Sequence, residues 1–309
     1  MLRSGMTEGV HYGSVVVLAP DGSTLFEAGD VDAAFYPRSA AKPMQAVAMN
    51  RLGLALPPRL LALSAASHSG EQIHLHGAEQ ILTTAGFHTR DLGNPEDFPY
   101  DPVQRDRWLA TRRSPSKLAH NCSGKHAAML AACHLRGWST ADYLDPGHPL
   151  QQAIAETVED LSGQPVARVA VDGCGAPLFA VSQRGLATAI SRIARAAAGS
   201  SEGLVAQAIR AHPEMVAGTR RDVTKLMNAV PGLIAKDGFE GVQVAALADG
   251  TSIVVKVADG SDRARQPVLA AVLTLCGVDA ALLKPFAGTT GEDGLKIVGA
   301  LAERLREVK

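Results

Sequence analysis

Two hairpin signals lie near opposite ends of the chain, and together they restrict its fold more than any other feature. Ser14-Val15-Val16-Val17-Leu18 is apolar and β-branched, Pro20-Asp21-Gly22-Ser23 carries turn chemistry, and Thr24-Leu25-Phe26 resumes extended structure. Val10 to Ala28 therefore reads as one hairpin. Val242 to Leu247 and Thr251 to Val257 flank Asp249-Gly250, a strong two-residue turn signal, and read as a second. A lone hairpin is marginal in water, so the economical arrangement joins both pairs in one antiparallel sheet. Ala40–Leu52, Ser123–Arg136, Leu150–Leu161, Leu178–Ala198 and Leu204–Ala211 carry apolar residues at helical spacing. Pro267–Cys276 and Gly294–Val308 read as two closing helices. The expected class is α+β: one domain over residues 1–309, with its sheet from 10–28 and 242–257 and a largely helical insert over about 40–235.

Charge and composition narrow the function. The 309 residues carry 30 Lys and Arg against 31 Asp and Glu, which disfavours nucleic acid or an anionic membrane as partner. With 7 Phe, 4 Tyr and 2 Trp, the chain has too few aromatics for base-stacking platforms, and its core must be aliphatic. No apolar run approaches the roughly 18 residues of a membrane span, and the first ten residues show no secretory h-region. The expectation is a cytoplasmic protein. Cys122, Cys133, Cys174 and Cys276 show no CxxC pairing, which points to thiols or metal ligands rather than a disulfide framework.

Some motif-like strings carry no weight. Gly199-Ser200-Ser201-Glu202-Gly203 matches a nucleophile-elbow string but follows an Ala-rich helix instead of a strand. Gly124-Lys125 lacks the first glycine and the hydroxyl of a phosphate loop, and His74-Leu75-His76 lacks the i,i+4 spacing of a zinc pair.

Three clusters say more. In Arg38-Ser39-Ala40-Ala41-Lys42-Pro43, a hydroxyl stands three residues before a lysine at a helix start, so both share a face. The helix N-terminus and partial burial disfavour an ammonium there, and a neutral Lys42 would take the proton of Ser39. The alternative is an N-cap Ser39 beside a solvated Lys42. Ala66-Ser67-His68-Ser69-Gly70-Glu71 is dense in polar side chains after an apolar stretch, and suits either a site or a capped turn. In His120-Asn121-Cys122-Ser123-Gly124-Lys125-His126, Cys122 and Lys125 share a helix face, while Cys174 lies in the glycine-rich turn Val171-Asp172-Gly173-Cys174-Gly175. Two thiolates and a deprotonated amine make a zinc site; two buried unligated thiols are the alternative.

In this order these stretches, with His212-Pro213-Glu214-Met215-Val216-Ala217-Gly218 and Lys236-Asp237-Gly238-Phe239-Glu240-Gly241, resemble the rhizobial-type L-asparaginases over nearly the whole chain. The resemblance implies a serine β-lactamase- or glutaminase-like sheet flanked by helices, a homodimer, and hydrolysis of L-asparagine to L-aspartate and ammonia. It implies two Ser-Lys pairs, Ser39 with Lys42 and Ser67 with Lys236, where Lys256 is the weaker candidate for the second lysine. It implies Zn2+ on Cys122, Lys125 and Cys174 with water as fourth ligand, and a pocket lined by Arg38, His126 and Asp172. Asp237 and Phe239 depart from the small residues preferred there, and a carboxylate beside Lys236 favours its charged form. Two rivals remain. A penicillin-recognising acyl-enzyme would use Ser39 and Lys42, but it calls for secretion and K-T-G where this chain has Lys236-Asp237-Gly238. A non-catalytic zinc-stabilised binding module would leave the Ser-Lys pairs idle.

Overall fold

The computed structural model describes residues 1–288 and 293–307. Strands β1 (Leu2–Arg3) and β2 (Met6–Thr7) form a small separate pair. β3 (Gly13–Leu18) and β4 (Thr24–Ala28) form the first expected hairpin, and β9 (Val242–Ala246) and β10 (Ser252–Val257) the second. The two are joined as expected, because β10 pairs antiparallel with β3, with Val254 opposite Val16. β8 (Ile234–Gly238) adds a fifth strand at one edge, giving the order β4-β3-β10-β9-β8. Between the hairpins, β5 (Ala34–Phe35), β6 (Arg168–Val171) and β7 (Pro177–Ser182) make a second, three-stranded antiparallel sheet in the order β5-β7-β6.

The helices between Lys42 and Ala229 supply most of the remaining core: α1 (Lys42–Arg51), α2 (Pro58–Ser64), α3 (Gln72–Thr84), α4 (Pro102–Ala110), α5 (Ser123–Arg136), α6 (Pro149–Ser162), α7 (Gln183–Ala194), α8 (Ser201–Ala211), α9 (Pro213–Val216) and α10 (Asp222–Ala229). α11 (Arg265–Leu275), α12 (Ala280–Leu283) and α13 (Ala300–Glu307) follow the second hairpin. α7 packs on β3, β9 and β10, and α11 packs on β9 and β10. Every residue of β8 and β9 is buried, so the sheet is covered on both faces at this end. The arrangement is the expected α+β class, an antiparallel sheet flanked by helices. Among the described residues no helix is long and apolar enough to cross a membrane.

Three elements differ from the sequence reading. Leu178–Ala198 is not one helix: Leu178 to Ser182 belong to β7, and α7 begins at Gln183, where the Ser182 hydroxyl caps it by accepting from the Gly185 amide. A short apolar run buried on all sides has no periodicity with which to tell strand from helix. The stretch opening at Lys236, read as lying just before the Val242 strand, is itself part of a strand: Lys236 sits in the middle of β8, opposite Val244. The last helix starts at Ala300 rather than Gly294, and the expected final residue, Val308, lies outside the described residues.

Candidate active site

Four loops converge beside the β8 edge. The segment from Ser67 to Gly70 follows α2 and is held from two directions. The Ser67 and Ser69 amides donate to the carbonyls of Val216 and Ala217 at 3.0 and 2.7 Å, and the His68 amide donates to the Asn121 carbonyl at 2.9 Å. Three of the sequence clusters thus brace one another through their backbones. Gly218 makes this approach possible: its φ is +145°, and a Cβ there would lie 2.2 Å from Ser69 Oγ. The Asn121–Lys125 segment opens α5, whose Gly124 lies against α2 so closely that a Cβ would meet Leu63 Cγ at 2.5 Å. Asp172 to Ala176 form the tip of the β6–β7 hairpin, closed by Asp172 N–H···O Ala176 at 2.9 Å, and this tip carries Cys174.

One turn of 3₁₀ helix, Arg38–Ala41, runs into α1 and packs on β8. Arg38 has φ +52°, in the left-handed region that costs a non-glycine residue free energy. Its side chain is held twice: Nε donates to Asp172 Oδ1 at 2.8 Å, and the guanidinium lies 5.4 Å from the centre of the Phe239 ring. The bulky Phe239 is therefore the platform for Arg38. These elements enclose a cavity of about 460 Å³, lined among others by Arg38, Ser39, Ser67, His120, Cys122, Asp172, Cys174, Arg221 and Asp237.

Lys42 is only 1% exposed, and its amine sits behind the cavity wall. Nζ donates to the Ala66 carbonyl at 2.6 Å, to Ser67 Oγ at 2.9 Å and to Cys122 Sγ at 3.0 Å. The lysine of the first Ser-Lys motif is thus hydrogen-bonded to the serine of the second. Ser39 is half-buried on the cavity wall, and its hydroxyl makes no hydrogen bond among the described residues. Lys236 is fully buried, and its Nζ donates to Asp237 Oδ1 at 2.7 Å and to the Asp237 carbonyl at 2.8 Å instead of to Ser67. Lys256 lies apart, its Nζ donating to the Val257 carbonyl.

Burial pulls the Lys236 pKa down, the Asp237 carboxylate opposes this, and the Lys42 cation adds to it, leaving about 8 against an ordinary 10.5. Burial would raise the Asp237 pKa, but Lys236, Arg221 and Arg265 outweigh it and hold the carboxyl well below its ordinary range. The folded chain gives up the Lys236 proton near pH 8 while the unfolded chain keeps it to about 10.5. Raising pH through that window therefore stabilises the fold. Lys236→Met is expected to remove this rise, measured as the difference in unfolding free energy between parent and variant from pH 7.5 to 10.5. A pH-independent difference would contradict the assignment.

The two predicted thiols also line the cavity. Cys122 and Cys174 are both buried, and their thiols are pushed apart: Cys122 and Lys125 favour the Cys174 thiolate, whereas the Cys122 pKa rises. Lys125 Nζ donates to Cys174 Sγ at 3.2 Å. Burial disfavours the Lys125 ammonium, but the thiols and Asp172 prevail and its pKa is raised. His126 does not line the cavity. It is fully buried, its Nδ1 pairs with the Tyr143 hydroxyl at 2.7 Å, and its Nε2 has no partner among the described residues. His120, which does line the cavity, is pushed down to about 4, mainly by burial.

As a metal site, this cluster offers two buried thiols and a buried amine, with Lys125 Nζ in contact with Cys174 Sγ. Among the described residues no three His, Cys, Asp or Glu side chains gather as a metal group, and the amine that the resemblance would add to the two thiols is Lys125. The set suits zinc in its mixture of soft sulfur and nitrogen, provided Lys125 binds unprotonated.

Residues to which the sequence reading gave no role support the site, and of these Arg221 lines the cavity. Tyr143 fixes His126, and His68 ties Ser123 in place through Nε2···Oγ at 2.8 Å while stacking on His74. Arg221 bonds Asp237. Only His68 lay inside a cluster that sequence singled out; Tyr143 and Arg221 act through contacts distant in the chain.

Solved structures give distant likenesses: a putative β-lactamase from Bacteroides dorei is 18% identical, covering 85% of this chain and 92% of its own, with a TM-score of 0.45. A β-lactamase from Mycobacterium bovis is 16% identical over 81% and 88%, with a TM-score of 0.42. EstCE1, a hydrolase with promiscuous acyltransferase activity, is 13% identical over 89% and 93%, with a TM-score of 0.42. A search among curated proteins finds no match. The model of the family described as L-asparaginase II matches residues 1–301, so that Ser67, Lys42, the paired thiols and Lys236 all fall inside the match. The chain belongs to the L-asparaginase II family of hydrolases.

Proposed function

We propose that the chain hydrolyses L-asparagine to L-aspartate and ammonia, with Ser67 as nucleophile and Lys42 as its base. The observation that carries this reading is the 2.9 Å contact between Lys42 Nζ and Ser67 Oγ at the cavity wall. A nucleophile and base within hydrogen-bond reach is the arrangement that amide hydrolysis needs. The reaction requires the unprotonated form of Lys42, whose Nζ then accepts from Ser67 and takes its proton as Ser67 Oγ attacks the side-chain amide carbon. The carbon–nitrogen bond then breaks, and Lys42 returns that proton to the departing ammonia. Water attacks the resulting ester, Lys42 takes the water's proton, and aspartate leaves as the Ser67 hydroxyl is restored.

Other groups position the reaction. Asp172 holds Arg38 at the cavity wall, and buried Lys236 places a second titratable amine behind Asp237. Cys122, Cys174 and Lys125 would hold zinc, which supplies Lewis-acid polarisation of a bound oxygen. Freshly purified protein is expected to contain zinc by elemental analysis, and Cys174→Ala to lose it while still unfolding cooperatively. Metal-free parent protein, even after zinc loading, would overturn this ligand set.

The functional reading is tested by ammonia release. L-asparagine is expected to be hydrolysed far faster than L-glutamine, because polar groups set for one chain length are misaligned for a longer one. Nitrocefin is expected to stay intact, since Asp237 stands where a β-lactam acyl-enzyme needs a hydroxyl and is tied to Lys236 and Arg221. Equal kcat/KM on both amides would remove asparagine specificity; nitrocefin turnover without ammonia release would replace the reading.

A further inference from the structure

Two arginines, Arg38 and Arg221, are the permanently charged cations that line the cavity. Lys42, Lys125 and Lys236 are buried and do not line it. Arg221 is paired already, because its Nη2 donates to Asp237 Oδ2. Arg38 is committed differently. Its Nε donates to Asp172 Oδ1 at 2.8 Å, while Nη1 and Nη2 make no hydrogen bond among the described residues. Nη2 stands beside Gly173, a second lining residue, 3.9 Å from where a Cβ on that glycine would lie.

The Arg38 side chain is held from the β8 side as well. A Cβ at Gly238 would lie 2.6 Å from the Pro37 carbonyl oxygen, so the end of β8 seats directly against the turn that carries Arg38. The next residue, Phe239, thereby comes beside the guanidinium, with its ring centre 5.4 Å from Cζ. Phe239 is 59% exposed and lines the cavity, so core packing is not what this ring contributes. With Nε taken and a ring alongside, the guanidinium offers its two amino groups as a planar fork. A carboxylate matches such a fork with two parallel hydrogen bonds. An arginine already held in place also gives up less rotamer freedom when the ligand arrives.

We infer that Phe239 is a positioning residue for substrate binding: with Asp172 it clamps Arg38 so that the two free amino groups receive the substrate's α-carboxylate. This rests on the asparaginase reading and deepens it, by naming what selects a free amino acid over an amide without a neighbouring carboxylate. Phe239→Ala is expected to raise KM for L-asparagine about two- to fivefold, the usual effect of an exposed cation–π contact, with kcat within about twofold. Inhibition by L-aspartate should weaken by the same factor. Inhibition by β-alaninamide, which is asparagine without its α-carboxylate, should stay as in the parent. Phe239→Trp keeps a ring and should restore the parental KM. Arg38→Gln is expected to raise KM at least about tenfold, and adding Phe239→Ala to it should raise KM no further, because the ring acts through the guanidinium. An unchanged KM in Phe239→Ala, an equal rise in the Arg38→Gln background, or equal weakening of both inhibitors would overturn the inference and leave the asparaginase reading intact. Parent protein that releases no ammonia from L-asparagine would remove both.

Discussion

Lys42→Ala is expected to lower kcat on L-asparagine by roughly 10²–10⁴, the usual worth of a positioned base. The side chain is buried, and its amine meets Ala66, Ser67 and Cys122 at 2.6 to 3.0 Å, so nothing else among the described residues stands where a Ser67 proton would go. Lys42→Arg is expected to do no better. A guanidinium cannot give up its proton to become a base, and its planar fork does not fit a space shaped around a single nitrogen with three acceptors. Kinetics on folded variants, checked by thermal unfolding, decide this. Activity retained in Lys42→Arg would mean that the position needs only a positive charge.

Ser67→Ala is expected to cost as much as Lys42→Ala, and the double variant little more than either, because two members of one proton-transfer unit do not contribute additively. The substitution removes one hydroxyl from a loop pinned by its own backbone through the Ser67, His68 and Ser69 amides, so the surrounding structure should persist. Ser39→Ala is expected to be at least about tenfold milder, since a hydroxyl with no base in reach contributes less than a paired one. Losses that multiply in the Lys42 and Ser67 double variant would show the two acting independently.

The sheet was legible because its signals are local. Asp249-Gly250 between two β-branched runs dictates a hairpin wherever the rest of the chain goes, and the only remaining question was which strands pair. β8 was not legible in this way: its apolar Ile234-Ala235 is two residues long and then meets Lys236 and Asp237, a charged pair that neutralises itself inside the fold. Burial of those charges depends on Arg221 and Arg265, many residues away on either side, and no local pattern announces it. The site shows the same division. Cys122 and Lys125 share a face by helical spacing alone, and Cys174 needed only the hairpin tip to reach them. The partner of each lysine was beyond local reading, since spacing suggested Ser39 for Lys42, whereas the packing of α2 against α5 brings Ser67 to it.

That exchange of partners is the point on which the mechanism turns, and trapping the covalent intermediate tests it most directly. The protein is mixed with a slowly turned-over asparagine analogue such as L-aspartate β-hydroxamate, quenched in acid, digested, and read by mass spectrometry for the residue that carries the aspartyl group. The account predicts the added mass on Ser67 and its absence in Ser67→Ala. An aspartyl group on Ser39, persisting in Ser67→Ala and lost in Ser39→Ala, would contradict it.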